Sequence, residues 1–574
     1  LARSECALMQ NFSISKHSNN GHFKIVMSSL RQTSRECGKM DRITQGIALL
    51  QATTGWHGVA APSGLDEPTL REIAGQAVRL AETTLRPLGT RADAVGCKLR
   101  GGQVQTPPGY GALWARMAAD GWLAMDLPSG IGGQGLPHGL HALVSPFFEA
   151  EAMAFMMAQT STRAAAHLLH GLGALQPAKA LASGQEAATI CISEPDAGSD
   201  VGRVRSRAVQ DGKIWRISGN KCWISFGGHD MTARNQHLLL ARTAPPDAGT
   251  RGLSLFLVPD RHPDGRSNGV QVTRIEEKLG LHGSPTCAMD FDNAEGQLLG
   301  AQDNGLRHMF GMISLMRLQC ALQGVGLALR AVDVAQGYAL ERRQGGRPDN
   351  PPLPIARHAD VRRILEGMEA ETAVLQALAL EVATSLDLAR SGDAAAGQRA
   401  GLLLPLVKTF GGEVAFRVAS GAIQVLGGAG YTREWPVERL LREARVITLF
   451  EGTTGMQAQD FLLRGLLRDG GAGLDALLAM ARHELDSLAT PEAALACDLL
   501  DRFARYIAPL HKSLHEAPCR AEAVADAVLR AGWAAVSGWM AARLVSLGDP
   551  LSRYGRARLT LLPAEFELAR VAGG

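Results

Sequence analysis

Ala187-Ala-Thr-Ile-Cys-Ile-Ser-Glu-Pro-Asp-Ala-Gly-Ser-Asp200 decides the fold, because two periodicities meet in it. Before it, residues 66–182 read as helix. Leu70, Ile73, Ala77, Ala81 and Leu85 recur every three or four residues, and Pro87 is expected to stop that run. From Ala187 the period shortens. Ala187–Ile192, Val204–Val209, Lys213–Ser218, His237–Ala241, Leu253–Val258, Val270–Ile275 and Cys287–Phe291 have strand length, with Gly, Asp, Asn and Pro between them. Short strands separated by turn residues indicate an antiparallel sandwich or barrel. After Asn304 three long amphipathic helices follow, Leu306–Arg343, Ile355–Arg390 and Gly397–Leu426, and helical stretches continue from Gly470 to about Val571.

Helices and strands are therefore segregated, which defines an α+β multidomain chain. The expected parts are an N-terminal helical domain over 41–186, a β-barrel or sandwich domain over 187–302 and a four-helix-bundle domain over 303–468. An extra C-terminal helical region covers 469–574. Residues 1–40, rich in Ser, Asn, Lys and His, are expected to be a disordered extension ahead of a start at Met27 or Met40.

Composition narrows the function classes. The 574 residues carry 59 Lys plus Arg against 56 Asp plus Glu, so bulk charge points to neither a nucleic-acid coat nor a membrane surface. From Asp501 onward ten Lys/Arg face seven Asp/Glu, a surplus too small for a strong phosphate footprint. Nine Cys are too few for a disulfide scaffold, and no Cys/His spacing suits zinc, so no metal is expected and the thiols are read as reduced and cytoplasmic. No stretch of about 18 apolar residues predicts a membrane span. The most apolar segment, Ala531–Gly548, contains Arg543 and reads as a buried helix. No G-x-G-x-x-G opens a helix after a strand, and no phosphate-binding P-loop occurs.

Four strings carry the chemistry. Within the first, which runs from Cys191 to Asp200, Pro195–Gly198 reads by itself as a polar turn, with Ser199 or Asp200 as a cap. The second is Lys221-Cys-Trp-Ile-Ser-Phe-Gly227. Alternation places Lys221, Trp223 and Ser225 on one strand face, where a ring and a hydroxyl suit a planar ligand, although taken alone Trp223 reads more readily as a core tryptophan. The third, Gln424-Val-Leu-Gly-Gly-Ala-Gly-Tyr431 with its continuation to Arg439, holds three glycines where a helix cap needs one. The fourth is Thr448-Leu-Phe-Glu-Gly-Thr-Thr-Gly-Met-Gln457. Thr454 and Gln457 form a capping-box pattern, so a helix is expected to start there. Glu451 lies just before it. Its carboxylate is either a helix-dipole partner or, in an apolar setting that raises its pKa, a base.

Together the strings resemble the acyl-CoA dehydrogenase family over roughly residues 65–460. The resemblance is closer to the long branch that includes 3-methylmercaptopropionyl-CoA dehydrogenase, through Leu281-His-Gly-Ser-Pro-Thr-Cys287, Gly427–Thr432, Gly101–Pro108 and the helices beyond Gly470. It implies FAD as cofactor. Ile192, Ser193, Gly198 and Ser199 match positions lining the flavin pyrimidine, Trp223 and Ser225 match positions at the isoalloxazine and its N5 region, and Thr453 matches a contact near the base. Arg342, Gln424 and Gly428 match positions that hold the FAD of a neighbouring subunit, which implies a homodimer or homotetramer.

The resemblance further implies that Glu451 is the catalytic base. It takes the α-proton of an acyl-CoA while the β-hydride goes to flavin N5, giving a trans-2-enoyl-CoA. Ser199, Arg317 and Gly452 match substrate contacts. Electron-transferring flavoprotein is the implied acceptor, an oxidase using O₂ is the alternative within the same chemistry, and a nucleic-acid-associated member is an alternative of another class. Ser314 stands where Asp or Asn is common, Gly345 where Phe is common, and Ser193 and Ser225 where Thr is commoner. His167–Gly184 is several residues short, on the substrate side.

Overall fold

The computed structural model describes residues 40–516 and 519–573. The extension expected over residues 1–40 lies outside them, save its last position. The helical first part consists of α1 (Arg42–Gln51), α2 (Trp56–Ala60), α3 (Glu67–Leu80), α4 (Arg86–Val95), a hairpin of β1 (Lys98–Arg100) with β2 (Gln103–Gln105), α5 (Tyr110–Ala119), α6 (His138–Gly171) and α7 (Leu175–Ala182). Asp66 caps α3 by accepting the Thr69 N–H at 2.9 Å, and Leu70, Ala74, Ala77 and Leu80 form its buried stripe. Pro87 does not stop the run. A π-helical turn over Ala81–Leu85 shifts the hydrogen-bond pattern ahead of it, so the missing proline N–H falls in the first turn of α4.

All seven expected strand runs are present, as β3 (Glu186–Cys191), β4 (Arg207–Asp211), β5 (Ile214–Ser225), β6 (Arg234–Arg242), β7 (Leu253–Pro259), β8 (Val270–Ile275) and β9 (Thr286–Leu299). The pairings β4–β5, β5–β9, β9–β7 and β7–β6 are antiparallel, and a single Arg207↔Arg242 pairing returns from β4 to β6, so the sheet closes on itself. β3 adds to β6 in parallel, an exception to the antiparallel pattern, and β8 adds to β9. The two faces of β6 bury different neighbours. Leu239 and Ala241 join Ile217, Phe256, Met289 and Phe291 in one core. Leu238 and Leu240 join Leu169 of α6, Leu181 of α7 and Met309 and Met312 of the following helix in another. A strand buried on both faces explains the unbroken Leu238-Leu-Leu-Ala241 run.

The bundle comprises α8 (Gly305–Glu341), α9 (Ala359–Arg390), α10 (Ala394–Leu426) and α11 (Val437–Ile447), followed by the short α12 (Thr454–Gln459). α8 and α9 are long and apolar enough to cross a membrane, but 83% of each apolar window is buried inside the protein, as in core helices. Neither is an uninterrupted apolar run in the sequence, because polar residues such as Gln319 and Gln323 in α8 and Glu369 and Glu381 in α9 break it. Beyond a π-turn at Asp460–Leu466 lie α13 (Ala472–Leu488), α14 (Pro491–Glu516), α15 (Cys519–Ser546) and α16 (Leu551–Ala572). α15 packs onto the bundle through Trp533 stacked on Phe410 (centroids 4.2 Å apart) and through Arg530 on Glu413 at 3.0 Å. Arg543 on the same helix is buried, as expected, between Glu381 of α9 (2.9 Å) and Glu484 of α13 (2.7 Å).

Candidate active site

Two groups of the expected residues are assembled by contacts with their neighbours. The first lies at the end of β5. The register runs Lys221↔Met289 and then Ile224↔Cys287, so β5 carries one extra residue, a β-bulge. Trp223 sits in the bulge with φ 63° and is 63% exposed. This corrects the expected alternation, because the bulge turns Lys221 away from Trp223 and into the protein. The Lys221 ammonium donates to the carbonyls of Ile192 (2.9 Å) and Leu240 (2.8 Å) and to Glu194 Oε1 (2.8 Å). Burial pulls it below the ordinary lysine range, and Glu194 opposes that. Cys222 N–H donates to the Ser193 carbonyl at 3.0 Å. The carbonyls of Ile192 and Ser193 are thereby pinned to the strand that carries Trp223 and Ser225. Gly198 and Ser199 are exposed just beyond the turn closed by the reciprocal Glu194–Ala197 hydrogen bonds.

The second group surrounds Glu451, in the link between α11 and α12. Glu451 and Gly452 both have positive φ, 55° and 95°. A non-glycine residue held there carries strain that the surroundings must compensate. The restraints are visible. Gln457 Nε2 donates to the Glu451 carbonyl at 2.9 Å, and Lys408 Nζ donates to the Gly452 carbonyl at 2.5 Å. Gln457 thus holds the loop rather than completing a capping box. The N-cap is Thr453, one residue earlier than expected, and its side chain makes no cap hydrogen bond. Burial raises the Glu451 carboxyl, while Lys408 and Arg317 counter it. Arg317, on α8, pairs with Asp460, which also takes Arg464 at 3.0 Å. Among the described residues Arg317 Nε has no hydrogen-bond partner. Ser314 turns its hydroxyl onto its own helix, to the Phe310 carbonyl at 3.0 Å.

Gly452→Ala is expected to destabilise the protein by about 1–2 kcal/mol, since a side chain at that φ is strained. Its Cβ would also lie 2.8 Å from Gln457 Nε2. Urea unfolding with an unchanged free energy would contradict this.

Arg342, Gln424 and Gly428 lie apart from both groups. All three are exposed, Arg342 at the C-cap of α8 and the others where α10 ends, and Tyr338 against Trp435 (centroids 5.2 Å apart) ties those two regions together. Among the described residues no hydrogen bond joins them to Glu451 or Trp223.

Sequence reading did not reach Lys408, Asp460 or the holding role of Gln457. Lys408 had a signal, as a single ionic residue within the apolar run Leu402-Leu-Leu-Pro-Leu-Val-Lys-Thr-Phe410. It also missed Asp126, His138 and His167, whose potential ligand atoms all lie within 4.8 Å of one another. Arg163 already donates to both Asp126 oxygens, so that carboxylate's charge is balanced without a metal ion, and the group is a buried hydrogen-bonded ion pair.

Sequence models of the acyl-CoA dehydrogenase middle and C-terminal domains match residues 189–294 and 303–466. A 3-methylmercaptopropionyl-CoA dehydrogenase of Ruegeria pomeroyi is 39% identical over 411 residues, covering 68% of this chain and 70% of that protein. A broad-specificity linear acyl-CoA dehydrogenase, FadE5 of Mycobacterium tuberculosis, is 32% identical, covering 76% of this chain and 77% of that one. The crystal structure of Caenorhabditis elegans ACDH-11 in complex with C11-CoA shares the fold, with a TM-score of 0.75 at 20% identity, over 87% of this chain and 88% of that one. The chain belongs to the acyl-CoA dehydrogenase family. It is an oxidoreductase of that class, and its cofactor is FAD.

The first group of residues fits that cofactor. A flat indole is held outward by a strained bulge, Ser225 follows it on the same strand, the Ser193 backbone is bonded to Cys222 beside it, and Gly198 has room where a Cβ would meet no atom within 4 Å. Gly428 is similarly open and has no positive φ, so nothing within this chain demands glycine there.

Proposed function

We propose that the chain is an FAD-dependent acyl-CoA dehydrogenase that converts an acyl-CoA thioester to the trans-2-enoyl-CoA, with Glu451 as the base. The observation that carries this is the Glu451 loop: a half-buried carboxylate raised in pKa, on a strained backbone whose two carbonyls are held by Gln457 and Lys408. Ile192, Ser193, Gly198, Ser199, Trp223, Ser225 and Thr453 would hold the FAD. Arg342, Gln424 and Gly428 would reach the FAD of a second subunit, so the proposed assembly is a homodimer or a tetramer of such dimers. When bound, FAD supplies the acceptor for the β-hydride.

The remaining work belongs to the protein. An α-proton of a thioester is too weakly acidic for an unaided carboxylate, so the thioester oxygen needs donors as negative charge develops on it. The Glu451 backbone N–H is one such donor, and the held loop keeps it and the carboxylate together. Ser199, Arg317 and Gly452 are the proposed substrate contacts.

Because only the ionised carboxylate accepts the proton, and burial raises its pKa, kcat/KM should climb with pH through a midpoint above about 4.3, the ordinary glutamate value. A profile flat down to that value would contradict the assignment. Electron-transferring flavoprotein is the proposed acceptor. Stoichiometric peroxide from acyl-CoA in air, without turnover through that acceptor, would replace the dehydrogenase reading by an oxidase.

A further inference from the structure

The Glu451 loop is held by a group the reaction as described does not use. Lys408 sits in the interior of α10 and is fully buried. An ammonium so placed costs several kcal/mol of lost hydration, and an apolar side chain of the same length would avoid that cost. Among the described residues its ammonium makes one hydrogen bond, to the Gly452 carbonyl at 2.5 Å. Among the described residues no direct ion pair joins it to a carboxylate.

We propose that Lys408 is a positioning residue for the base. Its ammonium grips the Gly452 carbonyl from inside the bundle and so holds the left-handed Glu451–Gly452 pair in the orientation that presents the carboxylate and the Glu451 N–H to substrate. The proposal rests on the reading of Glu451 as the base. Gln457 of α12 donates to both carbonyls, to Glu451 at 2.9 Å and to Gly452 at a longer 3.4 Å, and Lys408 of α10 adds the shorter bond to Gly452 at 2.5 Å. Two residues with positive φ in succession need such restraint, because the backbone relaxes toward negative φ when a hold is lost.

The same ammonium acts on the carboxylate through space. The charged and titratable groups facing Glu451 are Arg317 and Cys320 of α8 and Lys408 of α10. Asp460 largely neutralises Arg317 by pairing with it, and burial pushes the Cys320 thiol up to about 12, so it is uncharged. Lys408 is thus the larger of the two positive charges that oppose the rise burial gives the Glu451 carboxyl.

The test compares Lys408→Met with Lys408→Gln in the FAD-loaded protein. The methionine variant loses both hydrogen bond and charge. It should lower kcat about tenfold or more with little change in KM, and it should move the acid limb of kcat/KM up by about one pH unit. The glutamine variant keeps a donor without the charge, so it should recover most of kcat while retaining the displaced limb. A readout independent of turnover is the infrared carboxyl band that disappears in Glu451→Gln. Its titration midpoint should rise in both Lys408 variants.

Unchanged kcat and unchanged midpoints in folded variants would overturn the proposal. Failure of both variants to fold would assign the ammonium to stability alone and overturn it equally. Glu451→Gln, run alongside, separates the two levels. If it remains active, the base assignment fails. If it is inactive and both Lys408 variants behave as wild type, the positioning role alone fails.

Discussion

Replacing Glu451 with Gln is expected to slow flavin reduction by acyl-CoA at least a hundredfold while FAD stays bound. A positioned general base contributes about 10²–10⁴ in rate, and an amide cannot take its place. The substitution is nearly isosteric. The backbone restraints from Gln457 and Lys408 fall on carbonyls, which the change does not touch. The proposed cofactor contacts from Ile192 to Ser225 lie on other elements. Rate loss should therefore come without loss of FAD or of thermal stability. Anaerobic stopped-flow measurement of the flavin spectrum, with FAD stoichiometry and melting temperature from the same preparation, checks both halves. A reduction rate within tenfold of wild type would remove Glu451 from its assigned role.

Removing the Arg543 side chain as Arg543→Ala is expected to destabilise the protein by about 3–5 kcal/mol, the usual cost of stranding a buried partner charge. Arg543 Nη1 lies 2.9 Å from Glu381 and Nε lies 2.7 Å from Glu484, and its guanidinium also covers the Trp539 ring, 4.9 Å from its centroid. Glu381 is fully buried and keeps the Arg399 guanidinium only at 3.5 Å. Loss of Arg543 would leave that carboxylate poorly compensated and would open a cavity between α9, α13 and α15. Since the same residue fastens the C-terminal helices to the bundle, proteolysis should begin in residues 470–573. Chemical denaturation with a loss under 1 kcal/mol would show that the extension is held by apolar packing alone.

The elements that could be read in the sequence were those fixed by local pattern. The seven strand runs stood out because side-chain periodicity is a neighbour property. Their ends did not. β5 and β9 continue past Ser218 and Phe291 because each pairs with the other at Asn220 and Gly296, residues that read as breakers in isolation, and the ladder tolerates an irregularity at Asn293. The bulge that exposes Trp223 and buries Lys221 arises from that same pairing, so strict alternation assigned Lys221 to the wrong face. Pro87 was misread because a π-turn upstream accommodates it. At the candidate site, Glu451 was legible through its contiguous string. Lys408, 43 residues earlier on another helix, was not, because only the folded bundle brings its ammonium to Gly452. Asp460 was missed for the same reason, since its partner Arg317 lies on α8.

The central claim, that this chain oxidises acyl-CoA thioesters with bound FAD, is tested most directly by adding acyl-CoA to the purified yellow protein without oxygen. The panel should include methylthiopropionyl-CoA, short straight chains, branched chains and aromatic acyl groups. The account predicts that at least one thioester bleaches the flavin within seconds and yields the matching trans-2-enoyl-CoA in equal amount. A flavin that dithionite reduces but no thioester in the panel bleaches would contradict it.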